Sequence, residues 1–268
     1  MRGNFTLKSD ATYRMPVHFI GYPFDNSNRV VYSDVMAMSV MQRSSGEALA
    51  QYVPSDFELL DENIHWTYMN CRGVDFLSHG EYRIFMAGVQ VRFKSENDDL
   101  VGEYPLVIWE DNAHPILGGR EEDGMPKVFA SITPDRHFNE HWFAACSLYD
   151  ETMARYDFHD EREASPDEVA EMEKAACLNC FGMRYFPNAD RAGAAYSDIV
   201  LYPQEMHPKR VWFGSGSVTT VPVEPWYRIP NMAGIVGALS ALPCHGFFGA
   251  FRSECWVRLC VADSRKLR

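Results

Sequence analysis

Tyr82-Arg83-Ile84-Phe85-Met86-Ala87-Gly88-Val89-Gln90-Val91-Arg92-Phe93 decides the fold class. Much of it alternates in hydrophobicity, and its β-branched and aromatic residues fit a pleated surface. Outward from it, similar patterns give strands at Val30-Val31-Tyr32, Val35 to Met41, Tyr104 to Trp109, Trp142 to Tyr149 and Val211 to Val223. Only three segments read as helices. Ser44 to Tyr52 opens with Ser44 and Glu47 at capping-box spacing. Ser165-Pro166-Asp167-Glu168 has the same spacing with proline at the first helical position, and leads into Val169 to Cys177. Met232 to Leu242 is small and apolar and stops before Pro243. The charged run Asp157 to Glu171 reads as a solvated connection and helix start. Many strands, few helices and no βαβ rhythm predict a β-rich α+β fold, an antiparallel barrel or double sheet with helices at its margins. Residues 1–25 read as a loosely structured N-terminal arm, with Met15-Pro16-Val17-His18-Phe19 as its first ordered piece, and residues 26–268 as one domain.

Composition narrows the function classes. The 268 residues are 46% hydrophobic, enough for a large core, and carry a net charge of −12. That field repels a phosphate backbone or an anionic membrane face, so neither nucleic acid nor membrane is an expected partner. No stretch approaches the ~18 uninterrupted apolar residues of a span, and Met1-Arg2-Gly3-Asn4-Phe5-Thr6 lacks the apolar core of a signal peptide. A cytoplasmic location is the expectation. Seven cysteines, an odd number spread through the chain, fit reduced thiols better than a disulfide framework. Cys177 and Cys180 read as helix-end cysteines filling core space, and Met36, Met38 and Met41 as core.

One lysine stands out chemically. It lies in Gly118-Gly119-Arg120-Glu121-Glu122-Asp123-Gly124-Met125-Pro126-Lys127-Val128-Phe129-Ala130, in apolar company after a charged run. An ammonium with a pKa near ~10.4 is rarely a nucleophile at neutral pH. Burial beside Met125, Val128 and Phe129 is expected to lower that value, and the neutral amine could then form a Schiff base with a carbonyl. Alternatively, Lys127 is a strand-end lysine whose stem lies on apolar surface while its head reaches water.

The frame Gly119-Arg120-Glu121, four residues, then Pro126-Lys127 resembles the active-site segment of the acetoacetate decarboxylase superfamily. So does the preceding Gly102-Glu103-Tyr104-Pro105-Leu106-Val107-Ile108-Trp109-Glu110-Asp111-Asn112. Looser likeness at Leu49 to Pro54, Glu58-Leu59-Leu60, Phe181 to Pro187 and Trp212-Phe213-Gly214 extends it over roughly residues 40 to 258. The resemblance implies a cone-like antiparallel β-barrel and a Schiff-base nucleophile at Lys127. It also implies a small keto acid as substrate, no cofactor and a homo-oligomer.

The chain departs from the family's decarboxylases at three places. Val128 stands where they carry a second lysine. Val35, flanked by Arg29 and Arg43, stands where they carry a substrate arginine, and Ile84 where they carry a pocket glutamate. Other members of the superfamily, acting as aldolase-dehydratases, use a polar residue four positions before the lysine; Asp123 is in that place. Tyr82, beside Glu81, could move a proton, and Arg252-Ser253-Glu254 resembles a segment from which a pocket glutamate comes. Arg120 and Glu121 are expected to hold the lysine loop. The candidate catalytic set is therefore Lys127, Tyr82, Asp123 and Glu254, in a lyase that either decarboxylates a keto acid or performs aldolase-dehydratase chemistry on one such as pyruvate. Two other readings stand beside it. In a non-catalytic barrel that binds a small molecule, Lys127 would pair with Asp123 or Glu121. In a zinc hydrolase, His137, Glu140 and His141 would act as an H-x-x-E-H motif, which requires a helix where the sequence reads as strand.

Overall fold

The structure is a computed structural model that describes residues 2–19, 21–23, 30–225, 227 and 229–268; Arg29 lies outside them. In the arm, β1 (Ala11–Tyr13) and β2 (Gly21–Pro23) pair with each other. Next come β3 (Val30–Arg43), α1 (Gly46–Ala50), β4 (Phe57–Leu59), β5 (Asn63–Val74), β6 (Gly80–Lys94) and β7 (Asp99–Glu110). Then follow α2 (Ala113–Glu121), β8 (Lys127–Phe129), β9 (Ser131–Ile132), β10 (Arg136–Phe138), β11 (His141–Leu148) and β12 (Glu151–Glu163). The chain continues through α3 (Pro166–Glu173), β13 (Cys177–Pro187), β14 (Ala194–Thr220), α4 (Pro230–Ala241), β15 (Phe247–Leu259) and β16 (Arg265–Lys266).

One strand organises the sheet. β14, 27 residues long, pairs with β13 through its first part, with β15 through its middle and with β12 through its end. These pairings close a ring in the order β14, β13, β7, β6, β5, β3, β15 and back to β14, with β12, β11 and β10 continuing from it. Most neighbours are antiparallel, as the alternation predicts. Two are parallel: β13 beside β7, and β8 beside β7. The second exists because α2 carries the chain back to the start of a new strand, the crossover that parallel pairing requires.

The two faces of the sheet bury different groups. The main core contains Met38, Trp66, Tyr68, Phe85, Trp109, Tyr156, Phe158 and Phe181, with Val128 packed against it. A second cluster contains Tyr32, Val35, Cys71, Val74, Tyr82, Cys255 and Val257, and a third contains Ile108, Met125 and Cys180. No helix among the described residues is long and apolar enough to cross a membrane.

Several local expectations change. α1 is capped by Ser45, which accepts from the Ala48 amide, instead of by Ser44, which is buried. The box at Ser165 and Glu168 forms as expected. Asp157 to Glu163 is strand, because its backbone pairs with β14; Glu161, Arg162 and Glu163 are exposed, while Asp160 accepts from Trp142 and Arg252. Cys177 and Cys180 begin β13, one exposed and the other buried, with no helix end at either. Helix α2 escapes sequence reading because Pro115, Gly118 and Gly119 are weak helix formers; Asn112 caps it by accepting from the His114 amide.

Candidate active site

The strand register sets the centre of the site. Ile108 pairs with Lys127 across the parallel β7 and β8, so Glu110, two residues further along β7, shares the face of Lys127. Lys127 Nζ lies 2.8 Å from Glu110 Oε1 and donates to the Pro115 carbonyl at 3.2 Å. The contact between Lys127 and Glu110 is an ion pair. Glu110 is 0% exposed and the Lys127 side chain 14%. Burial pushes the Glu110 carboxyl above its ordinary range; Lys127 pulls it down and Asp111 adds to the rise. Val128 alternates to the other face and packs on the main core, so position 128 does not look onto the amine.

The loop between α2 and β8 brings Asp123 to the same place. The Gly119 carbonyl accepts from the amides of Asp123 and Met125, at 3.2 and 2.9 Å. Gly124 has φ +69, and a Cβ there would lie 2.4 Å from the Arg184 amide nitrogen. Glycine thus meets both the left-handed backbone and the close approach to β13. Gly119 makes room for the lysine itself: a Cβ on it would stand 2.7 Å from Lys127 Cε. Arg120 donates to the Lys127 carbonyl at 2.9 Å, a contact that holds the loop to the strand. Burial first, then the charge of Glu122, raises the Asp123 carboxyl to about 7, while Lys127, Arg14 and Arg184 pull the other way.

These groups border a cavity of about 310 Å³. Its wall includes Lys127, Asp123, Glu121, Glu122, His114, Tyr32 and Tyr202, with apolar surface from Val30, Phe76, Pro115 and Leu259. A wider, more open depression of about 680 Å³ lies between α3 and β14, away from Lys127. Of the candidate catalytic set read from the sequence, Lys127 and Asp123 reach the cavity, and Glu121 beside them is also in its wall. Tyr82 stands one layer behind it: its hydroxyl lies 3.0 Å from that of Tyr32, which forms the wall. Burial drives both phenols well above their ordinary range.

Glu254 lies apart from this group. It pairs with Met36 of the main core, whereas the neighbouring Cys255 pairs with Val35 of the second cluster, so Glu254 faces away from the cavity wall. Its carboxylate stands 3.9 Å from Arg252 and 4.0 Å from Arg210. Glu81 turns outward and binds Arg83 at 2.6 Å. Lys127 pairs with Glu110, not with Asp123 or Glu121. The segment His137 to His141 forms neither a helix nor one continuous strand. It is a hairpin in which Phe138 pairs with His141 and Asn139 takes φ +53, and no group of three metal-binding side chains occurs among the described residues.

Glu110, Glu122, His114, Tyr32, Tyr202 and Arg14 are among the members of this neighbourhood that sequence reasoning missed. Glu110 lies within Gly102 to Asn112, where nothing local distinguishes it; its approach to Lys127 follows from the pairing of β7 with β8.

The profile of the family described as acetoacetate decarboxylase (ADC) matches residues 14–250. The chain belongs to the acetoacetate decarboxylase family. Relatives within it include the acetoacetate decarboxylase of Burkholderia vietnamiensis, 24% identical over 183 residues, which are 68% of this chain and 71% of that one. That of Burkholderia cenocepacia is 23% identical over the same shares. The fold matches the acetoacetate decarboxylase of Legionella pneumophila with a TM-score of 0.71 and 18% identity, over 87% of this chain and 85% of that one. It also matches the enduracididine biosynthesis enzyme MppR complexed with pyruvate, with a TM-score of 0.71 and 15% identity, over 97% and 99%. At such identities the structural matches speak for the fold alone.

Proposed function

We propose that this chain is a lyase that binds a small keto acid as a Schiff base on Lys127. The observation that carries the proposal is the Lys127 amine on the wall of a partly enclosed cavity, 2.8 Å from the fully buried Glu110. A carboxyl raised by burial is a better proton acceptor than an exposed one. Glu110 takes a proton from the Lys127 ammonium, and the freed amine attacks the ketone carbon. The carbinolamine loses its hydroxyl as water, with Asp123 in its acid form supplying the proton. The resulting iminium draws electrons from the adjacent carbon.

From there two branches diverge. Loss of carbon dioxide gives an enamine directly, whereas an α-keto acid such as pyruvate must first lose an α-proton to a base. Asp123, left as a carboxylate on the cavity wall once it has protonated the departing water, can take that proton and supports the second branch. The second lysine that the family's decarboxylases carry is replaced here by Val128, which packs away from the amine. Room points the same way. With about 30 Å³ per water in the liquid, 310 Å³ corresponds to roughly ten waters. A six-heavy-atom acid leaves space for an aldehyde to be attacked by the enamine. MppR, a fold neighbour, is described in complex with a condensation product of pyruvate and imidazole 4-carboxaldehyde.

Borohydride reduction in the presence of pyruvate or acetoacetate tests the proposal. The expected result is a mass increase on Lys127 that disappears in Lys127→Ala, with the fold retained. The Lys127–Glu110 pair is also what a non-reacting lysine in a binding barrel would make. Absence of an adduct with any keto acid would select that second reading.

A further inference from the structure

Among the described residues, one basic side chain besides Lys127 and the imidazole of His114 lines the cavity, and it comes from outside the ring. Arg14 follows β1 in the N-terminal arm and, with Met15, forms part of the wall. Its Nη2 donates to Glu122 Oε2 at 2.9 Å and its Nε to Oε1 of the same carboxylate. This two-pronged pair ties the arm to the loop that carries Asp123. Arg14 also favours the ionised form of Asp123, so it stands within electrostatic reach of the catalytic side of the cavity.

The charge inventory of the wall gives the pair its meaning. Asp123, Glu121 and Glu122 contribute carboxyl groups, with Glu110 just behind Lys127. An anionic substrate entering this wall meets mostly like charge, and Lys127 is committed to the carbonyl. A guanidinium that already grips one carboxylate with two donors has the geometry to grip another. The present pair is open to solvent, with 51% of the Arg14 side chain and 30% of the Glu122 side chain exposed, so an incoming carboxylate can reach the guanidinium.

We infer that Arg14 receives the carboxylate of the keto acid, exchanging Glu122 for it, and that the arm thereby sets the preference of the site for anionic carbonyl compounds. The inference rests on the Schiff-base reading of Lys127. It also supplies the substrate-binding cation that Val35 does not, from a different part of the chain.

The test uses the full chain and two probes, pyruvate and uncharged acetone, each titrated in borohydride trapping with the Lys127 adduct read by mass. Arg14→Gln is expected to raise the half-saturating pyruvate concentration about tenfold or more relative to that of acetone, the size of a lost charge-assisted contact, any change through Asp123 being common to both probes. Arg14→Lys should recover part of the loss, since it restores charge without the fork. Glu122→Gln should move pyruvate in the opposite direction, to lower concentrations, because it removes the competing carboxylate. Equal effects of Arg14→Gln on both probes, or none on either, would overturn the role of Arg14 and leave Lys127 chemistry intact. If the native chain traps neither probe, the Schiff-base reading falls and this inference with it.

Discussion

Replacing Asp123 with Asn probes the electrostatics of the cavity most directly. The Asp123 carboxyl is raised from 3.8 to about 7, chiefly by burial and next by the charge of Glu122. A difference of about 3 units corresponds to roughly 4 kcal/mol of preference for the acid form, an upper figure because the group borders a cavity open to water. The sign follows from the direction of the shift. With the folded value above the unfolded one, the contribution to stability is complete below pH 3.8 and is lost as pH rises through about 7. Asn cannot ionise, so Asp123→Asn should gain on the native chain by up to roughly 4 kcal/mol between about pH 4 and about pH 8.

The chemical readout runs in parallel. An acid-form Asp123 can protonate departing water below about pH 7 and not above it, so the rate of adduct formation should fall on the alkaline side with a midpoint near that value. Asp123→Asn should be slow at all pH values and lack the alkaline limb. Glu122→Gln removes the second cause of the rise and should move the midpoint to lower pH. The assays are borohydride trapping rates and denaturant unfolding over about pH 5 to about pH 9. An alkaline limb that survives unchanged in Asp123→Asn would refute the assignment of that limb to Asp123.

Three further outcomes are expected. Glu110→Gln should lower turnover of an accepted keto acid by roughly a hundred- to ten-thousandfold, the range for losing a positioned acid–base group; steady-state kinetics beside Lys127→Ala measures it. Gly119→Ala places a methyl 2.7 Å from Lys127 Cε, so adduct formation should slow markedly while the thermal midpoint shifts only slightly, as calorimetry can check. Burial raises the Glu103 carboxyl from 4.5 to about 7, although the residue is only partly buried overall, because its Oε1 lies out of reach of solvent and of any hydrogen-bond partner. Its stability contribution is present below pH 4.5 and lost as pH rises through about 7, so Glu103→Gln should be the more stable form at about pH 8, by up to about 3 kcal/mol in denaturant titrations.

The legible parts of this molecule were those encoded by local pattern. Strand alternation marked most of β3, β6 and β11, and the Gly-Arg-Glu and Pro-Lys frame drew attention to Lys127. Relationships between distant segments were not legible. Glu110 meets Lys127 because α2, hidden by its proline and glycines, turns the chain back into a parallel pair. Glu254 was misplaced for a related reason. β15 has register shifts against both neighbours, at Pro208/Arg210 and at Cys255/Val257, and a one-residue step in a strand moves a side chain to the opposite face. Arg14 carries no periodic signal at all; it reaches the cavity wall from a hairpin bonded to itself.

The closure of the ring through β14 and β15 has a consequence for how the chain comes off the ribosome. Val30 of β3 finds its partner in Leu259, so the third strand waits for almost the whole polypeptide before that edge is covered. Until then, β3 and the middle of β14 present unpaired backbone to anything nearby, including other nascent copies. Synthesis at about 5 to 20 residues per second leaves these edges open for tens of seconds or less, and closure through contacts so far apart in sequence is slow by nature. Chaperone dependence during expression, and aggregation of chains shortened before β15, are the costs built into joining the first long strand to the last.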